Sequence, residues 1–272
     1  MYRTCLVLLC LLLGSASMAH SQVTADATPT DIQAQRTADT TVSAADALIL
    51  EAKTLMQLAS TTGNPDRMAQ ARPILERATG DAARGALAHY YLGHLHASWM
   101  NLIQDDKDAQ KQHLDQAIEH LEQAIDVDDQ MADAYALLGG LYGQKVAFAP
   151  MRAMFLGPKA DRMLDQAFQL EPDNPRTALI AARSTYYKPR MFGGDKEAAL
   201  EGFERAASLF EESMPTDPVQ PSWGHDESYA WIGIAHMDAE RMDEAQAAFE
   251  RALEINPDYG WVRHVLMPAA TQ

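Results

Sequence analysis

The segment HYYLGHLH places His89 and His96 on one face of a helix, because seven residues make close to two turns. His113 and His120 repeat the spacing downstream. Imidazole is a common ligand for transition metals, so two matched pairs could in principle hold one. The chain has no His-Glu-x-x-His segment, which would set two ligands and a base on a single helix. Packing is therefore the preferred reading, with His89 and His96 inside and His113 and His120 facing water. No metal and no other cofactor is expected.

A second candidate is MFGGDK, Met191 to Lys196, where two glycines and a lysine precede a helical pattern. A phosphate-cradling loop would need a longer glycine-to-lysine spacing and a Ser or Thr after the lysine. Here Glu197 follows Lys196, and no strand precedes the loop. The residues suit a turn better. Pro189 stops one helix, the glycines allow the reversal, and Asp195 caps the next helix by accepting from its free N–H groups. No Gly-x-Ser-x-Gly segment marks a hydrolase nucleophile, and acidic runs such as QDDKDAQ suit a solvated face. The chain is expected not to be an enzyme.

Around these residues the composition sets limits. Met1 to Thr4 is a short positive start, CLVLLCLLL an apolar run too short to span a bilayer, and GSASMAHSQ a small-residue cleavage zone. Residues 1–21 thus read as a secretory signal peptide. Ser17-Met18-Ala19 fits the cleavage rule, and Ala19-His20-Ser21 nearly as well. Leu9 before Cys10 does not suit a lipoprotein signal. Export to the periplasm or the medium is the expectation. The chain has 2 cysteines, both in this segment, so the mature form would have no disulfide and no thiolate chemistry. The formal net charge of −16 disfavours nucleic acid and anionic lipid as partners. Residues 22–43 read as a flexible leader and 44–268 as an Ala- and Leu-rich helical domain, with 269–272 a tail.

That domain is repetitive. The clearest unit is DESYAWIGIAHMDAERMDEAQAAFERALEINPDY, Asp226 to Tyr259. Tyr229, Ile232, Gly233 and His236 share one helical face, Ala245, Phe249 and Ala252 share the next, and Pro257 closes the unit. This pattern resembles the tetratricopeptide repeat family, with His236 in place of the usual second aromatic. Weaker copies begin at His89, Tyr135 and Ala178, and a further pair spans Ala44–Ser60 and Asp66–Thr79. The resemblance implies an all-α, right-handed solenoid of antiparallel helical hairpins, about five in number. Such hairpins stack because each leaves an apolar face for its neighbour to cover.

The upstream copies have lengthened connections within the hairpin. The strong repeat has 8 residues between its two signatures, against 20, 17 and 13 in the copies upstream. The longest gap holds no Gly or Pro and reads as extended helices, while the other two read as loops along one edge of the stack. MFLGPK, Met154 to Lys159, echoes MFGGDK there. Met154, Phe155, Arg190, Met191 and Phe192 are accordingly candidates for a mixed apolar and basic partner surface, the alternative being that the two Phe rings tuck under the loops as core.

The resemblance also implies a concave groove for peptides, lined by the outward side of each first helix. Helical phase assigns to it Tyr90 and His94; Asp133, Ala136 and Gly140; Arg183, Tyr186 and Tyr187; then Ala230, Ile234 and Met237. Arg183 with the tyrosine pair could clamp an acidic or aromatic segment. The Pro-rich SMPTDPVQPSWG, Ser213 to Gly224, separates two hairpins and reads as a place where the last repeat could pivot. Trp261 is expected to cover the open end of the stack. The leading function is a non-catalytic scaffold for a protein or peptide. The alternative is a small-ligand binder with a pocket under the apolar loops.

Overall fold

The computed structural model describes residues 42–212 and 215–271. The stretches expected to be a signal peptide and most of the leader lie outside the described residues. The described residues form five antiparallel hairpins: α1 (Ala44–Thr62) with α2 (Asp66–Ala78), α3 (Gly85–Leu102) with α4 (Lys107–Val127), α5 (Ala132–Phe148) with α6 (Ala153–Leu170), α7 (Pro175–Tyr187) with α8 (Lys196–Glu212), and α9 (His225–Asp238) with α10 (Met242–Ile255). A π-helical turn, Val262–Leu266, and the short α11 (Met267–Ala270) follow. Each helix packs most heavily on its hairpin partner and then on the adjacent hairpin, which makes the stack a solenoid.

Local signals start and stop these helices. Ser43, Asp106, Asn174 and Asp195 each accept from free N–H groups of the helix that follows. Gly63 ends α1 in the left-handed conformation at φ 65°. The MFGGDK segment is the turn the sequence predicts: Gly193 has φ 88°, and a Cβ on Gly194 would sit 1.7 Å from the Lys188 carbonyl oxygen.

The crossing of each hairpin depends on small residues. A Cβ on Gly233 would lie 2.2 Å from the Phe249 ring, and one on Gly93 would lie 2.6 Å from Leu121. Gly139 sits in the same way against Ala160 and Leu164. The backbones approach until these large side chains lie flat on the facing helix, and Phe249, Leu121 and Leu75 become fully buried.

Two expectations change. The connection between Tyr142 and Ala160 is not a loop. Helix α5 runs to Phe148, a single 3-10 turn of Pro150–Arg152 follows, and α6 begins at Ala153. Pro158 forfeits the hydrogen bond its N–H would have donated to the Met154 carbonyl, and α6 tolerates this near its start. The second change is at the C-terminal cap. Val262 and Leu266 are the residues buried against the last hairpin, whereas Trp261 turns toward Trp231, edge to face at 6.1 Å.

Candidate functional site

The first helices of the hairpins line the inner face of the stack, and the Pro-rich segment lies across the N-terminal half of it. Lys53 on α1 donates from Nζ to the carbonyls of Pro218 and Gln220, both at 2.7 Å. The Tyr91 hydroxyl donates to the Val219 carbonyl at 2.7 Å. Trp223 donates from Nε1 to the Tyr90 hydroxyl at 2.8 Å, and its indole stacks on His94 at 4.9 Å. Arg84 bridges Asp46 at 2.6 Å and Asp217 at 3.0 Å. Val219 and Pro221, on the strap itself, are buried. The segment is therefore no pivot: ion pairs and hydrogen bonds tether it to the first two hairpins.

This strap reverses the expectation for Tyr90 and His94. Tyr90 is fully buried, and His94 lies under an indole. Burial, with the charges of Arg176 and Lys53, holds the His94 imidazole near pKa 4, so it is neutral at pH 7. Burial likewise lowers the Lys53 ammonium to about 8. The centre of the inner face is closed as well. Arg176 reaches from α7 to Asp133 on α5 with two hydrogen bonds, at 2.6 and 3.0 Å, and Asn174 adds a third. Ala136 is buried, and a Cβ on Gly140 would be 2.8 Å from Ile180. The residues placed in a groove by helical phase form the interface between successive first helices instead.

The C-terminal half is aromatic and mostly tied down. Arg183 pairs with Glu227 at 2.9 Å and lies over Trp231 at 5.0 Å. Tyr186 packs on Phe203 and Trp231 and donates its hydroxyl to Asp238, which Lys196 also binds. Met237 is half-buried against the cluster around Phe249. Tyr187 alone of the expected clamp is open, 68% exposed, with its edge toward Trp231.

The edge of the stack is different. Met151, Met154, Phe155, Met191 and Phe192 are between 65% and 93% exposed. Met154 and Phe155 stand on the first turn of α6, and Met191 and Phe192 on the 3-10 turn of Arg190–Phe192. An ion pair from Lys188 to Asp161 ties the end of α7 to α6, which keeps the two turns on the same edge. Arg152 and Arg190 are exposed beside them, and neither has a carboxylate at ion-pair distance among the described residues. The two Phe rings do not tuck into the core. A cavity of about 310 Å³ beside Arg152 is lined by Lys111, Leu114, Asp115, Lys145, Phe148, Ala149 and Arg152, without either ring.

The four paired histidines meet between α3 and α4. His96 and His113 face each other Nδ1 to Nδ1 at 2.8 Å, and His89 and His120 at 3.4 Å. In each pair one ring donates and the other accepts, so the accepting ring has to be neutral. Burial lowers all four pKa values, that of His96 to about 3. His113 and His120 are half-buried rather than free in water. Among the described residues, no group of three or more His, Cys, Asp or Glu is arranged to hold a metal ion.

A family model described as the tetratricopeptide repeat matches residues 226–259, which are α9, α10 and the turn that follows. Residues 226–259 match a tetratricopeptide repeat, and the stack as a whole has the fold of such repeats. Two solved structures share its fold. The HusA haemophore from Porphyromonas gingivalis is 20% identical, with 69% of this chain and 94% of that one covered and a TM-score of 0.55. A thermophilic tetratricopeptide protein of Thermus thermophilus is 18% identical, with 81% and 98% covered and a TM-score of 0.55. No curated protein sequence matches the chain. Identities at this level speak to fold alone. Repeat proteins of this fold generally mediate contacts between proteins.

In this repeat protein the strap is the feature that reading by repeats missed. Two signals for it were present. Val219 and Trp223 are large apolar residues in a connector that has no helix to bury them. Tyr90 and Tyr91 are adjacent, so only one of them can face its own hairpin partner, and the other must meet something else.

Proposed function

We propose that the chain is an exported, non-catalytic binding module that holds a protein or peptide partner on the edge formed by Met151, Met154, Phe155, Met191 and Phe192. One observation carries this reading: five large apolar side chains stand in solvent on the turns that begin α6 and follow α7, while the inner face under the strap is filled by the chain itself. Met151 is on the 3-10 turn, Met154 and Phe155 are on the first turn of α6, and Met191 and Phe192 come after α7. Exposed apolar groups gathered in one place mark interaction surfaces more often than scattered ones do. Arg152 and Arg190 beside them, on a chain of net charge −16, favour a partner whose apolar side chains are flanked by carboxylates. The apolar run after Arg3 supports export.

The test is a double variant, Phe155→Ser with Phe192→Ser, used as bait in an envelope extract of the source organism. The wild type retains a partner identified by mass spectrometry, and the variant retains at least tenfold less at unchanged thermal stability. Equal retention by both proteins would sink the reading.

A small anionic ligand is the second reading, and the 310 Å³ cavity favours it, with Lys111, Lys145 and Arg152 around Phe148 and Leu114. Haemin is a suitable first probe, since a protein of this fold is a haemophore. Saturable haemin binding that Lys145→Ala with Arg152→Ala removes would put the ligand in this cavity.

A further inference from the structure

The strap shows what the inner face recognises. Three of its contacts, two from Lys53 and one from Tyr91, go to backbone carbonyls, which any extended segment offers. Three further anchors are side chains: Asp217 on Arg84, Val219 buried, and Trp223 between His94 and the Tyr90 hydroxyl. Pro218 and Pro221 fix their own φ angles, and the Gln220 N–H donates to the Asp217 carbonyl at 3.1 Å, so the segment docks as a turn over 217–220 that its own residues favour. The surface below also requires an occupant. With nothing over it, Lys53 would lose two acceptors, the Tyr91 hydroxyl its acceptor and His94 its stacked indole.

We infer that the inner face of α1 and α3 is a peptide-recognition site filled in cis, and that its trans ligand is a partner segment of the same chemistry. That ligand is a turn-forming, proline-containing stretch with a carboxylate, a small aliphatic residue two positions on, and an aromatic four beyond that. This site is distinct from the loop edge. The tether on both sides holds the strap at an effective concentration on the order of millimolar, so a free segment enters only when it binds better or when the strap is released. The first two hairpins then gain a second partner site that is closed by default, and the exposed edge stays available throughout.

The probe is a fluorescein-labelled peptide of residues 216–224, titrated by anisotropy against the full chain. Val219→Asp with Trp223→Ser releases the strap without altering the face beneath it. The released variant is expected to bind the peptide at least tenfold more tightly than wild type. Adding Lys53→Ala and Tyr91→Phe to it is expected to reverse the gain, and a scrambled peptide is expected not to bind. A released variant with native helicity and no binding overturns the inference, and so does wild type binding as tightly as the variant. Should the released variant unfold, hydrogen exchange in wild type decides. Millimolar unlabelled peptide must then speed exchange across 217–223, and unchanged exchange overturns the proposal.

Discussion

The inner face of the first two hairpins and the edge at α6 and α7 carry similar residues in opposite circumstances. Tyr90, Tyr91 and Trp223 are held by hydrogen bonds and stacking, with charged groups paired around them. Phe155, Phe192 and three methionines have no such cover. Aromatic content therefore does not locate a binding surface in this fold. What separates the two regions is the covering chain: the inner face has the strap, and the edge has nothing comparable among the described residues.

The comparison breaks first at its most buried pair. Arg176→Ala leaves Asp133 in the interior without its bidentate partner, both side chains being about one-tenth exposed. Loss of one member of a buried pair costs about 3–5 kcal/mol. Urea unfolding should show a loss of that size, and one below 1 kcal/mol would mean that the pair does not hold α5 to α7.

Gly233→Ala is next. Its Cβ would overlap the Phe249 ring, and overpacking of this kind costs about 1–3 kcal/mol, offset by about 1 kcal/mol of helix propensity. A stabilised variant would show that the ring has room to move.

The histidine cluster gives a pH dependence of intermediate size. Folded pKa values below the ordinary 6.5 mean that the unfolded chain binds more protons as pH falls. The contribution of these groups is fully present above about pH 6.5 and declines toward the folded value, which for His96 is about 3. The thermal midpoint is expected to drop between pH 7 and pH 5. His96→Phe, which puts an aromatic at the repeat's packing position, is expected to flatten that slope. An equal slope in the variant would assign the acid sensitivity to other groups.

The smallest stability change belongs to the edge. Phe155→Ser with Phe192→Ser removes apolar surface that is already in water, so denaturant unfolding should shift by no more than about 0.5 kcal/mol. A larger loss would show that the rings cover core.

The parts of this architecture that were legible in the sequence are those set by local spacing. Gly233 opposite Phe249, the Asp195 cap and the turn at Gly63 follow from helical phase and turn chemistry, and five hairpins follow from their repetition. The strap was not legible, because it joins residues far apart in the chain, such as Lys53 with Gln220. No repeat pattern encodes a connector that folds back. The edge was half legible: the residue types at 154, 155, 191 and 192 single them out as apolar candidates, but their exposure depends on where α6 begins, and the Gly157-Pro158 pair suggested a loop where a helix runs. His94 and Tyr90 were assigned by phase to an open groove, and phase cannot show what lies on top of a residue.

The most direct test places a photo-crosslinking amino acid singly at Phe155, Phe192 and Tyr187 in the full chain, expressed in its own organism. The edge account predicts a partner adduct from 155 and 192, with little or none from 187. An adduct from 187 alone would contradict it and return the partner to the aromatic half of the inner face.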